Sequence, residues 1–266
     1  MEVTAIAARI SVGLMVGILV GLTGLGGGMV LLPLLISVLG VPPILAVGSD
    51  AVINLITKVG AGGLHWRQGN VSWPLVRNLA YGSIPGAVLG VLVLAAIRSH
   101  YGNGVNEFLR GAIGLLLFFI PLGYLIHFRP STPSVNIEAL LKYRFRFGIT
   151  LIGFFAGTLV GLTSIGSGSV ILIFLLVFYG FSPATMVGTD IVHAVLLAAL
   201  TSLLQFHLGN VDFTVVLPVL LGSVPGGILG AYLTNHVPAA RLKLVLCALL
   251  MAVGSRLLWG VLVHAN

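Results

Sequence analysis

Charge is what this sequence has least of. Asp, Glu, Lys and Arg make up 7% of its 266 residues, against roughly 25% in soluble domains. No long hydrophilic stretch is present in which a soluble catalytic or nucleic-acid-binding domain would fold. Cysteine is nearly absent: Cys247 alone excludes an internal disulfide and any cysteine-built metal cluster. Acidic residues number 6 against 13 basic ones, a surplus of +7. In a soluble protein that surplus would suggest nucleic acid. In a chain this poor in charge it points to basic cytoplasmic loops and an anionic substrate.

Apolar residues fill the place of charge, at 58% of the chain. A hydrocarbon core about 30 Å thick takes roughly 20 apolar residues per helix, and such stretches run almost end to end. The fold class is an all-α polytopic membrane protein. Met1-Glu2-Val3-Thr4 is acidic where a signal peptide is basic, and no small-residue cleavage site follows, so the first apolar run is expected to be a retained helix.

The chain is written twice. Residues 13–90 align without a gap on 153–230, an offset of 140, with about a third of positions identical. Gly21-Leu22-Thr23-Gly24-Leu25-Gly26-Gly27-Gly28 matches Gly161-Leu162-Thr163-Ser164-Ile165-Gly166-Ser167-Gly168. Val47-Gly48-Ser49-Asp50 matches Val187-Gly188-Thr189-Asp190, Gly69-Asn70-Val71 matches Gly209-Asn210-Val211, and Gly82-Ser83-Ile84-Pro85-Gly86 matches Gly222-Ser223-Val224-Pro225-Gly226.

Each half reads as four or five helical segments with a glycine-rich broken or re-entrant helix. Helices are expected near 3–22, 29–39, 44–65, 71–97 and 107–128, then near 146–162, 169–180, 184–206, 213–235 and 240–263. Residues 1–128 form the N-terminal repeat, 129–145 a polar linker and 146–266 the C-terminal repeat. Arg129, Lys142, Arg144 and Arg146 place the linker on the cytoplasmic side. Five crossings per half fit the basic residues better than four and make the halves inverted repeats, as in many secondary transporters. Glycines at 13, 17, 21 and 82, 86, 90, with their copies at 153, 157, 161 and 222, 226, 230, form smooth faces for close helix packing rather than chemistry.

Chemistry is expected where polar groups meet the membrane interior. A helix broken at Gly26, Gly27 and Gly28 offers backbone N–H groups and a positive helix end to an anion. Gly166 and Gly168, with the hydroxyls of Ser164 and Ser167, repeat that offer in the second half. Irregular backbone survives at membrane depth only where protein buries it or a cavity lines it. The competing reading of these breaks is a packing kink.

Intramembrane charge costs roughly 2.5–3.5 kcal/mol per residue, so it is functional by default. Asp50, Asn54 and Lys58 recur every four residues on one helix face, with Lys58 facing substrate. Asp190 and His193 lie three apart, within mutual reach, as a protonatable pair for coupling or gating together with Asp50. Ser49 and Thr189 join the substrate-binding set. Against this stands a reading of Asp50 and Asp190 as caps of helices that follow Pro43 and Pro183, and of His193 as a hydrogen-bonded core residue. Arg77, His65, Trp66 and Arg67 read as interface anchors.

With these motifs in hand, the sequence resembles the sulfite exporter TauE/SafE family, also called the toluene-sulfonate uptake permeases. The resemblance is carried by Gly24-Leu25-Gly26-Gly27-Gly28 with Pro33, Gly40-Val41-Pro42-Pro43 leading to Ala46-Val47-Gly48-Ser49-Asp50, Gly69-Asn70-Val71, and Gly82 through Gly90, with their second-half copies. The second break departs from the glycine-rich form at Ser167, and Ile173 stands where the first half has Pro33. The resemblance implies a secondary transporter of small anions, of the sulfite, thiosulfate or sulfoacetate type, in a bacterial inner membrane.

The expected partners are a small anionic substrate, protons as the coupling ion and the lipid bilayer. No nucleic acid, metal, cofactor or enzymatic activity is called for, and the sequence does not fix an oligomeric state. An anion channel would use the same helix ends. A serine hydrolase built on Ser167 and His193 lacks the nucleophile motif such enzymes carry.

Overall fold

In the computed structural model, residues 2–23, 27–67, 69, 71–127, 143–166, 183–233 and 239–264 are described. They are helical nearly throughout: α1 (Glu2–Thr23), α2 (Gly27–Ser37), α3 (Pro43–Arg67), α4 (Trp73–Tyr101), α5 (Gly104–His127), α6 (Tyr143–Thr163), α7 (Pro183–His207), α8 (Phe213–Leu233) and α9 (Ala239–His264). The expected short piece at 169–180, most of the linker, and Gly26, Ser167 and Gly168 lie outside the described residues.

Six of these helices are long and apolar enough to cross a membrane: α1, α4, α5, α7, α8 and α9. Large apolar side chains such as Leu92, Phe147, Leu221, Ile228 and Tyr232 point outward, which water would penalise and lipid does not. α3 is long enough as well, but Asp50, Asn54 and Lys58 interrupt its apolar run. Helix starts follow proline chemistry. Pro43 and Pro183 open α3 and α7, and Pro74 lies in the first turn of α4, where a missing N–H costs nothing.

The two halves interleave. α1 lies along α8, and α4 along α6, so each close pair joins one helix of each half. The glycine stripes make both crossings. A methyl group on Gly13 would run into the Val219 carbonyl, and one on Gly222 into the Ile10 carbonyl. The same relation holds between Gly153 and Leu79, and between Gly82 and Thr150. These contacts are copies of one another at the 140-residue offset seen in the sequence. α5 and α9 meet at Gly114 and Gly254, also 140 apart, where an added Cβ on Gly254 would lie 2.9 Å from the Gly114 carbonyl oxygen.

At the centre, the equivalent helices α3 and α7 pack on each other, with α4 and α8 at their sides. α2 has 11 residues, about 16 Å at 1.5 Å per residue. It is too short to span, and protein encloses it: Met29, Val30, Leu31, Leu32 and Leu35 are all buried. That burial is what irregular backbone at membrane depth requires. The turns that lead into α4 and α8 carry Gly69 at φ +72° and Gly209 at φ +69°. Only glycine adopts that left-handed conformation at little cost. Trp66 and Trp73 stack edge-to-face across the first of these turns, with centroids 6.0 Å apart. Both are exposed, in keeping with an interfacial aromatic belt.

Candidate functional site

α3 carries its polar residues at positions 50, 54 and 58 because a four-residue step keeps them on one face. All three are buried. Asp50 is fully enclosed, and its Oδ2 accepts two hydrogen bonds of 2.7 Å, one from Asn54 Nδ2 and one from Ser164 Oγ. The first donor is one turn away on the same helix. The second arrives from the other half of the chain.

Ser164 holds its position at φ +58°, left-handed backbone that non-glycine residues rarely occupy. Such strain persists where surrounding contacts enforce it and marks functional segments. Here the bond to Asp50 and a backbone bond from the Ser164 N–H to the Val160 carbonyl (2.7 Å) do so. Thr163 adds a 3.3 Å bond from the Ile165 N–H.

The start of α2 meets the end of α6 at this carboxylate. A Cβ on Gly28 would lie 2.7 Å from the Ser164 carbonyl oxygen and 2.8 Å from Asp50 Oδ2. One on Gly27 would strike the Asn54 side-chain oxygen. Only glycine lets the start of α2 approach so closely, and the positive end of that helix therefore faces a resident carboxylate. Gly28 and Ser164, at the described edges of the two breaks, thus lie on either side of Asp50. Asp50 is not a helix cap, since its bonds go to side chains and it lies seven residues past Pro43.

Lys58, one turn beyond Asn54, is 7% exposed. Its charge acts on Asp50, Asp190 and His193, so these four buried groups of α3 and α7 share one electrostatic centre. Among the described residues, Asp50 Oδ1, Asp190 Oδ1 and His193 Nδ1 are all buried without a hydrogen-bond partner. Buried polar atoms are paired in the great majority of cases, so three orphans around one lysine single this region out. Asp190 and His193 do not bond each other. The ring instead reaches α4, where its Nε2 lies 2.7 Å from Ser83 Oγ.

The other two expected hydroxyls each accept a backbone N–H. Ser49 Oγ accepts the Asp212 N–H at 3.0 Å, and Thr189 Oγ1 accepts the Ser72 N–H at 2.9 Å. Ser49 and Thr189, like Ser72 and Asp212, are 140 apart, so the two bonds are equivalent. Each ties the residue beside a buried aspartate to the turn that opens α8 or α4 in the opposite half. Thr189→Val keeps the side chain's shape and leaves the Ser72 N–H without its acceptor, at a cost of about 1–3 kcal/mol. A melt of the purified protein in detergent should register this as a drop of several degrees; an unchanged midpoint would show that the bond contributes nothing.

Sequence reasoning missed Ser83, which it placed in a packing motif, and its counterpart Ser223, buried with an unpartnered hydroxyl. It also missed the brace around the second turn. Arg98 bonds the Leu208 carbonyl at 3.1 Å and the Asn210 side chain, and Asn210 Nδ2 donates to Gln205 Oε1 at 2.6 Å. Among the described residues, no group of three or more His, Cys, Asp or Glu is arranged to hold a metal ion.

Residues 9–257 match the family model described as "Sulfite exporter TauE/SafE". The chain is 37% identical to the "Probable membrane transporter protein YjnA" of Bacillus subtilis (strain 168), over 94% of this chain and 98% of that protein. It is 28% identical to the "Probable membrane transporter protein YdhB" of the same organism, over 86% and 90%. A "Probable membrane transporter protein" of Xylella fastidiosa (strain 9a5c) is 26% identical over 97% of each. No solved structure matches significantly. A helical body with charge gathered at its buried centre, matched over nearly its whole length, is thus an integral membrane transporter that belongs to the TauE/SafE sulfite exporter family.

Proposed function

We propose that this transporter carries a small sulfur-bearing anion, of the sulfite, thiosulfate or sulfoacetate type, together with a proton. The observation that carries the reading is Lys58, buried in α3 and electrostatically tied to Asp50 and Asp190 where the start of α2 meets the end of α6. An ammonium group there gives a compact anion a strong electrostatic attraction.

Proton coupling follows from counting charge. With Asp50, Asp190 and Lys58 all ionised, the centre carries one net negative charge. A sulfur anion adds one negative charge as hydrogen sulfite and two as thiosulfate or sulfoacetate, in a medium of low dielectric where repulsion is far stronger than in water. A proton delivered to one carboxylate offsets one unit of the incoming charge, so anion and proton travel together. The basic residues of the linker support a cytoplasmic placement of 129–145, and the family resemblance supports a bacterial inner membrane.

Proteoliposomes test this directly. Uptake of sulfite, thiosulfate, sulfoacetate, acetate and chloride is measured with and without an acid-outside pH gradient. Saturable uptake of one sulfur anion, faster with the gradient, is the expected result. Chloride moving as freely as the others and indifferent to pH would make the protein a channel. Saturable uptake that ignores the gradient would retain the carrier and remove the proton.

A further inference from the structure

Two observations about His193 lead beyond this reading while resting on it. The ring is fully buried, and its two nitrogens are treated differently. Nε2 lies 2.7 Å from Ser83 Oγ, whereas Nδ1 is buried with no partner among the described residues.

Counting hydrogens decides the tautomer. Several hydroxyls in these helices donate to the carbonyl four residues back, as Thr158 does to Phe154 and Ser255 to Met251. Ser83 makes no such bond, and His193 Nε2 is the acceptor within its reach. If Nε2 carried the proton, the Ser83 hydrogen and the Nδ1 lone pair would both be buried unpaired. If Ser83 donates to Nε2, the ring hydrogen sits on Nδ1 and is the one donor left over. Each arrangement leaves one buried donor unpaired. The first also strands an imidazole nitrogen lone pair where the second strands a hydroxyl oxygen, the weaker acceptor, so the second arrangement prevails.

The surroundings select what that donor meets. α3, α4 and α6 pack against α7. Lys58 of α3 acts on the ring, and Asp190 lies one turn before it on α7. α4 brings Ser83, with Arg77 and Arg98 exposed, and α6 has no charged residue over 147–163. A second cation beside Lys58 would be repelled. A neutral N–H donor beside an ammonium suits an oxyanion, which accepts from both.

We propose that His193 binds the transported anion as an uncharged donor through Nδ1–H, with Ser83 as the positioning residue that fixes the tautomer. His193 then has no part in carrying the coupling proton, and that task stays with the aspartates.

The test reads the ring and transport separately. Protein labelled with ¹⁵N in the histidine rings is compared with His193→Asn to assign the His193 signal. The expected spectrum is a neutral ring protonated at Nδ1, shifting on addition of sulfite and changing tautomer in Ser83→Ala. In proteoliposomes, His193→Asn keeps an amide N–H near the place of Nδ1 and should hold KM for sulfite within about threefold of the parent value. His193→Ala and His193→Gln should raise KM about 10- to 100-fold, with gradient-driven accumulation intact at saturating substrate. A ring protonated at Nε2, or an imidazolium, overturns the proposal. So does His193→Asn that exchanges sulfite but no longer accumulates it against a gradient, since that is the signature of a proton relay. Wild-type protein that moves none of the anions would remove the carrier reading. The spectrum then decides His193 by itself, and an Nδ1–H signal indifferent to sulfite ends the donor assignment.

Discussion

Lys58→Ala is expected to cut transport by roughly 30-fold or more. The side chain lies 15 residues from the start of α3 at Pro43 and 9 from its end at Arg67, about 22 and 14 Å along the axis at 1.5 Å per residue. A lysine stem does not bridge either distance, so the ammonium does not reach an interface and its charge stays in the centre. Removing one partner of a buried, hydrogen-bonded charge set costs about 2–5 kcal/mol, which corresponds to roughly a 30-fold to several-thousand-fold loss of transport efficiency. The same deletion leaves Asp50 and Asp190 without their counter-charge and destabilises the fold as well. Lys58→Ala combined with Asp190→Asn restores the local charge balance and separates the two effects. The double variant should melt close to the parent protein and still show the transport loss. Transport regained in the double variant would make Lys58 a structural counter-ion and leave the substrate cation unassigned.

Much of the helical layout is legible in the sequence because proline and glycine punctuate long apolar runs. Pro43, Pro183 and the Gly-Asn turns fix helix starts within a residue or two. The pairing of those helices is not legible. A stripe such as Gly82, Gly86 and Gly90 shows that a face packs closely, but the partner could lie in either half. That the stripe takes Thr150, Phe154 and Thr158 of the other half depends on the whole fold.

The site divides the same way. Asn54 beside Asp50 follows from a four-residue step along one helix, and the structure makes that bond. Ser164 reaches the same carboxylate across 114 residues of sequence, a distance over which local periodicity carries no information. Asp190 and His193 illustrate the limit in the other direction. Three-residue spacing permits contact, but a buried ring takes whichever partner is best placed, and Ser83 on α4 is. The hydroxyls of Ser49 and Thr189 were marked by their position beside the aspartates. Their acceptance of backbone N–H groups from the opposite half could not be, because a backbone donor leaves no trace in residue identity.

Gly226→Ala and Gly227→Ala should change stability in opposite directions, though the two residues are neighbours on α8. Helix propensity alone treats them alike: alanine in place of a mid-helix glycine is worth about 1 kcal/mol. Packing separates them. A Cβ on Gly226 would overlap the Leu14 carbonyl oxygen and lie 3.1 Å from the Ile18 N–H nitrogen, both in the backbone of α1. A Cβ on Gly227 meets nothing within 4 Å. Backbone cannot rotate away as a side chain can, so the Gly226 methyl has to push α1 and α8 apart along the seam that joins the halves. Overpacking of that kind costs typically about 1–3 kcal/mol, and a leucine at the same place costs more, since it must find room for four carbons where one does not fit. In detergent, Gly227→Ala should melt at or slightly above the parent temperature and Gly226→Ala several degrees below it. Gly226→Leu should yield little folded protein. The equivalent seam between α4 and α6 makes the same demand, so Gly86→Leu, whose added carbons would meet the Phe154 carbonyl, should fail alike. Equal melting of Gly226→Ala and Gly227→Ala would mean that the two helices stand further apart than this close crossing requires, and the interleaving of the halves would lose its main support.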